Sequence, residues 1–179
     1  ACVSPYDASD PNTQELASLR DDNGKLLNLE EELYCGWPEV VPIIDEKKPE
    51  NSGFFMYYST MTKRDKAKSI GCAVSEDGFR WDPRGICLRP DEGTMDAGGV
   101  ARCNAFQNAV YDEATESWAN AKGYTMLYEG VSKEDNKHRV MMAESMDGRK
   151  WTKKGVVFDV GADDEAWDSQ GVGSPHILR

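Results

Sequence analysis

Phe55-Met56-Tyr57-Tyr58-Ser59 is followed, after a polar link, by Ile70-Gly71-Cys72-Ala73-Val74-Ser75-Glu76-Asp77-Gly78-Phe79-Arg80-Trp81. The same pattern returns as Tyr124-Thr125-Met126-Leu127-Tyr128-Glu129-Gly130 and Ser145-Met146-Asp147-Gly148-Arg149-Lys150-Trp151. Trp81 and Trp151 lie 70 residues apart, and Gly53/Gly123, Met56/Met126, Tyr58/Tyr128, Lys63/Lys133, Asp65/Asp135, Ala73/Ala143, Ser75/Ser145 and Gly85/Gly155 keep that spacing. Self-similarity at one long period marks a tandem structural repeat. Asp96-Ala97-Gly98-Gly99-Val100 is echoed by Asp168-Ser169-Gln170-Gly171-Val172 at an offset of 72, and Asp45-Glu46 by Asp112-Glu113 at 67, a drift that loops of unequal length absorb. The chain therefore holds two complete units and the start of a third.

Each unit reads as strands, because its apolar runs are short, rich in aromatic and β-branched residues, and bounded by turn residues. Four strands fit in each: near Val40 to Ile44, Phe54 to Ser59, Ser69 to Ser75 and Gly85 to Leu88 in the first. In the second they fall near Phe106 to Tyr111, Tyr124 to Glu129, Arg139 to Ser145 and Gly155 to Phe158. Asp77-Gly78 and Asp147-Gly148 supply the positive φ that tight turns need, and the tryptophan three residues on packs back over the sheet. Thr60 to Lys68 and Gly130 to His138 read as exposed hairpin loops. A four-stranded antiparallel unit in tandem is the pattern of an all-β fold, a β-propeller. The division expected is an N-terminal arm over 1–37, a blade over 38–97, a second over 98–169 and the start of a third over 170–179. Within the arm, Asn12 to Glu32 is acidic with leucines at Leu16, Leu19, Leu26, Leu27 and Leu29, as suits an extended arm or short helix wrapping the propeller edge.

Composition narrows the function. With 179 residues and 39% hydrophobic content the chain is long enough for a buried core, and 32 acidic against 21 basic residues give a net charge of −11. Such a surface repels phosphate backbones and anionic headgroups, which speaks against nucleic-acid binding. No apolar stretch approaches the roughly 20 residues of a spanning helix; the longest is interrupted by Pro38, Glu39 and Pro42, so no transmembrane segment is expected. Five cysteines, Cys2, Cys35, Cys72, Cys87 and Cys103, form an odd set without the close pairs of a zinc or redox motif. That set favours a reducing compartment, and neither a metal nor a cofactor is expected. The chain begins at Ala1 without an apolar signal core, and the expectation is a processed chain or a fragment.

The combination of aromatic-Met-x-Tyr, Ala-x-Ser-x-Asp-Gly-x-x-Trp and Trp-Asp-x-x-Gly-Val resembles a blade of the five-bladed propeller glycosidases, the arabinanase/levansucrase/invertase-like group, over roughly Trp37 to Arg179. The resemblance implies a ring of which this chain supplies about two and a half blades, since five units at about 70 residues need on the order of 350. It also implies a carbohydrate substrate or ligand at a central cavity and hydrolysis or transfer by three carboxylates. Plastid-targeted plant and algal relatives of this type have no assigned chemistry, which implies a plastid location and a second reading. On that reading the propeller is non-catalytic, an interaction or assembly subunit of a larger complex, photosynthetic in a plastid, whose protein partners complete or dock on it. A cytoplasmic or secreted location is the alternative.

Glycoside hydrolysis needs two carboxyl groups flanking the scissile bond. Asp96 and Asp168 sit where the chain returns from an outer strand to the next inner one, and so are candidates for base or electrostatic partner. Their equivalence also fits a shared structural task such as a turn or a buried hydrogen bond. Glu129 breaks the symmetry by standing where the first unit has Ser59. In an apolar setting beside Tyr128 and Met126 its pKa would rise, as a general acid requires; the alternative is a solvent-exposed hairpin-end glutamate. Arg102, Asn104 and His176, the last aligned with Asn104, are candidates for lining a sugar-binding cavity. Trp37, Trp118 and Trp167 have no tryptophan at the aligned position and are candidates for a stacking platform; for Trp167, aligned with Met95, the alternative is plain packing.

Overall fold

A computed structural model describes residues 6–11, 19–20, 23–27, 29–44 and 52–177. The Asp45-Glu46 pair, Cys2, Leu16, residues 178–179 and much of the acidic arm lie outside the described residues. The rest is all-β, with no helix among the described residues. The first sheet is β1 (Glu32–Ile43), β2 (Gly53–Thr62), β3 (Lys68–Ser75) and β4 (Asp82–Leu88). The second is β5 (Gly99–Asp112), β6 (Ser117–Val131), β7 (His138–Ser145) and β8 (Thr152–Phe158). Each runs in simple antiparallel order, the architecture of consecutive propeller blades.

The turns form for the reason the sequence gives. Gly78 and Gly148 have φ of 76° and 72°. In each turn the aspartate caps two backbone N–H groups: Phe79 and Arg80 donate to Asp77 Oδ1 at 2.8 and 2.9 Å. Arg149 and Lys150 donate to Asp147 at 2.9 and 2.8 Å. Lys66 and Asn136, also 70 residues apart, take positive φ in the β2–β3 and β6–β7 links.

The inner strands differ from the expectation. β1 begins at Glu32 rather than Val40, and β5 at Gly99 rather than Phe106. Gly36 and Pro38 look like strand breakers, but the register slips between Gly36/Glu39 and again between Ala101/Asn104, a β-bulge at the same place in both units. A bulge on a strand with one free edge tolerates proline and a left-handed residue; here Trp37 and Arg102 are those residues, with φ of 48° and 43°.

The core lies between the sheets. Phe55 and Tyr57 project from β2 onto Tyr124, Met126, Tyr128, Met141 and Ala143 of the second sheet, with Val41, Ile70, Cys72, Leu88, Val100, Cys103 and Ala105 closing the cluster. Phe55 meets Tyr124 edge-on at 5.6 Å, and Tyr57 meets Trp151 edge-on at 5.6 Å. Trp81, the counterpart of Trp151, packs on the opposite side of the first sheet with Met56, Tyr58 and Ala73. Cys35, Cys72, Cys87 and Cys103 are free thiols, and burial pushes Cys72 up to about 12, which leaves it unreactive.

One polar bond crosses this core: the fully buried Tyr57 hydroxyl donates to the Gly148 carbonyl at 2.7 Å. Tyr57→Phe strands that buried carbonyl, and an unfolding titration is expected to show a loss of about 1–3 kcal/mol; an unchanged midpoint would refute the bond.

Candidate functional site

β2 and β6 end on side chains that anchor the next unit. Arg102 N–H, at the β5 bulge, donates to Ser59 Oγ at 2.9 Å. The same bond recurs one unit on, where Ser174 N–H donates to Glu129 Oε2 at 3.0 Å. Ser174 has φ of 52°, so the positive-φ position is kept in three successive inner segments, Trp37, Arg102 and Ser174.

Glu129 does more than Ser59. It is 3% exposed, its Oε1 lies 2.6 Å from His138 Nδ1, and Arg102 Nη1 sits 3.3 and 3.2 Å from its two oxygens. Gly173 lies so close to Oε2 that a Cβ there would collide with it. Burial alone would raise the Glu129 pKa, but the hydrogen bonds from His138 and Ser174 and the charge of Arg102 outweigh it, and the group is held below its ordinary value. Both sequence expectations for Glu129 are thereby corrected. It is neither solvent-exposed nor a protonated acid in an apolar setting; it is a buried carboxylate that fixes Arg102 and His138 at a cavity of about 390 Å³ also lined by Gln170 and Ser174. The Arg102 guanidinium lies 5.0 Å over the Trp37 ring, whose other surface is largely open at 57% exposure.

Two residues beyond the bulge, Glu39 and Asn104 are equivalent, and His176 is third in the series. Asn104 bridges its neighbours: its Nδ2 donates to Glu39 Oε1 at 2.7 Å and its Oδ1 accepts from Ile177 N–H at 3.0 Å. Burial pushes the Glu39 pKa up, against the smaller opposing effects of the Asn104 hydrogen bond and His176. Glu39 and Glu129 are thus shifted in opposite directions, Glu39 up by burial and Glu129 down by its partners.

Asp96 is elsewhere. It is fully buried and accepts from Tyr128 Oη at 2.9 Å, Thr94 Oγ1 at 2.5 Å and Asp91 N–H at 3.2 Å, with Lys153 Nζ at 2.7 Å. Burial acts to raise its pKa, but Lys153 and the hydrogen bonds bring it below the ordinary value. Tyr128 and Glu129 are successive strand residues and point to opposite faces, so Asp96 and Glu129 do not share a cavity. Asp168 is half-buried, and its carboxylate packs closely against Gly161 in the loop after β8. Trp167 is 88% exposed on the loop after β8, away from Trp37 and Arg102.

Sequence reasoning missed Glu39 and His138. The signal for Glu39 was the inner-strand offset, 65 rather than 70, which the 67-residue spacing of the Asp-Glu pairs hints at. His138 stands where the first unit has Lys68, a difference with no meaning until Glu129 is seen beside it.

No protein-family profile matches the chain, and no curated protein does. Solved structures do. A glycosyl hydrolase from Bacteroides ovatus superposes with a TM-score of 0.52 at 17% identity, over 94% of this chain and 44% of that one. A structure from work on the GH130 family of mannoside phosphorylases, which contains glycoside hydrolases that target β-1,2-mannosidic linkages in Candida mannan, superposes with a TM-score of 0.50 at 19% identity, over 83% and 37%. The chain spans less than half the length of either. What the chain shares with these two structures is the fold, here two consecutive four-stranded antiparallel sheets.

A depressed carboxylate pKa stabilises the fold above the ordinary glutamate value of 4.5, and that contribution is lost as pH falls through the folded value. Glu129→Gln is therefore expected to lower stability at pH 7 and to flatten the loss between about pH 5 and 3 relative to the parent. Urea titrations at each pH check both; parallel curves would contradict the assignment.

Proposed function

We propose that the chain is the site-bearing part of a glycosidase-like propeller that binds a carbohydrate at its innermost strands. The observation that carries this reading is one repeated position holding Glu39, Asn104 and His176 in three successive units. A position that serves only the fold keeps its residue, as Tyr58/Tyr128 do, whereas recognition of an asymmetric ligand requires different groups around it. Carboxyl, amide and imidazole are the groups that read sugar hydroxyls, and the open Trp37 ring offers an apolar face to a pyranose.

If the whole protein hydrolyses glycosidic bonds, Glu39 fits the proton donor better than Glu129 does, because a general acid must hold its proton near neutral pH. Glu129 then positions Arg102 and His138 rather than giving up a proton. On this reading Arg102 faces the ligand, the buried Asn104 amide orients Glu39, and His176 is exposed beside Glu39.

Calorimetric titration with neutral oligosaccharides tests the reading. Trp37→Ala is expected to weaken binding about tenfold, the order of one aromatic stacking contact, and Glu39→Gln to abolish hydrolysis while leaving affinity within a few-fold. Saccharide binding untouched by Trp37→Ala, Asn104→Ala and His176→Ala alike would place the ligand elsewhere.

A further inference from the structure

The carboxylate–tyrosine pair Asp96–Tyr128 has a counterpart in the first unit that the sequence does not reveal. Tyr58, equivalent to Tyr128, donates its hydroxyl to Glu32 Oε1 at 3.3 Å, and Glu32 is 6% exposed. The units differ in one respect. Asp96 has the ammonium of Lys153 at 2.7 Å, and Lys153 stands opposite Ala143. The position opposite Ala73 is Pro83, so no cation comes from β4. What reaches Glu32 instead is the N-terminal segment: Tyr6 N–H faces its Oε2 at 3.4 Å, and Glu32 N–H donates to the Tyr6 carbonyl at 2.9 Å. Tyr6 is itself buried.

We propose that the Glu32 side chain is a latch that holds the N-terminal segment on the first sheet, closed when the carboxyl carries its proton and loosened when it does not. A buried carboxylate with no cation is strongly disfavoured, while the protonated acid still accepts from Tyr6 and Tyr58. Burial sets Glu32 above its ordinary value, and its hydrogen bonds only partly oppose the shift. Among the described residues, the groups around it supply no compensating charge. From β1 it faces Cys35, whose Sγ is 3.6 Å from Oε2; from β2, Tyr58 and Thr60. In the β2–β3 link, Lys63 is taken by Asp7 at 2.8 Å and Glu31 at 3.9 Å, and Arg89 after β4 by Glu30 at 2.5 Å. The Lys63 hydrogen bond holds Asp7 far below the ordinary carboxylate range, so Asp7 stays ionised at every pH of interest. The sign follows: a raised folded pKa favours the docked segment fully below 4.5 and loses that favour as pH rises through the folded value.

Amide hydrogen exchange of the whole chain, corrected for the intrinsic pH dependence of exchange, reads the latch directly. Protection at Tyr6, Ala8, Asp10 and Glu32 is expected to fall about tenfold or more between pH 5 and pH 8, the equivalent of one pKa unit or more, while β2 and β3 stay protected. In Glu32→Gln, which cannot ionise, it should stay high at both. Pro83→Lys restores the second unit's ion pair in the first and should keep the segment protected at pH 8. Protection in the parent that does not change with pH, or an identical fall in Glu32→Gln, overturns the proposal. Should Pro83→Lys fail to fold, Glu32→Gln still decides.

Discussion

Phe55 and Tyr57 of one sheet packing into Tyr124, Met126 and Tyr128 of the next is the contact on which the rest of the structure depends. A four-stranded sheet with apolar residues on both faces cannot stay in water alone, so each unit is stable only against a neighbour. That requirement fixes the order of the strands, sets the innermost strands side by side, and turns the loops after β4 and β8 into bridges between units. The buried Tyr57 hydroxyl adds direction to a contact that is otherwise apolar, because only one placement of the second sheet brings the Gly148 carbonyl within reach.

The repeat lets the protein act as its own control. Where the chemistry at equivalent positions is kept, the task is structural: Asp77 and Asp147 cap the same turns, and Tyr58 and Tyr128 anchor on a carboxylate. Where it changes, something beyond the fold is being served. Ser59 and Glu129 accept the same backbone bond, but only Glu129 brings charge, and with it Arg102 and His138. Glu39, Asn104 and His176 share a position and no chemistry. Two glutamates in this region thus have pKa values pushed in opposite directions, and the difference comes from the company each keeps: guanidinium, imidazole and a backbone N–H outweigh burial at Glu129, whereas burial outweighs the Asn104 amide and His176 at Glu39.

Much of the fold was legible because it is written locally. The aromatic-Met-x-Tyr strands and the Ser-x-Asp-Gly-x-x-Trp turns specify their own conformation within a few residues, and their recurrence at 70 residues declares the repeat. The inner strands were not legible in the same way. Gly36 and Pro38 argue against a strand at Glu32–Ile43 until the bulge that accommodates them is seen, and the bulge exists because the neighbouring strand forces the register there. The site was half legible: Arg102, Asn104 and His176 stood out as differences in an aligned strand, while Glu39 and His138 did not.

By itself the sequence determined the class of the fold and the positions of the turns, since these depend on short-range preferences repeated at a fixed period. Only the tertiary structure decided what the carboxylates are. Asp96 became a buried strut, Glu129 a clamp on Arg102 and His138, Glu39 a carboxyl whose pKa burial raises, and Glu32 a buried acid beneath Tyr6. The physical reason is that the charge state of a carboxyl is set by burial and by partners within a few ångströms, and here partners come from other strands and other units, His138 lying 9 residues from Glu129 and Asn104 65 residues from Glu39 in the chain.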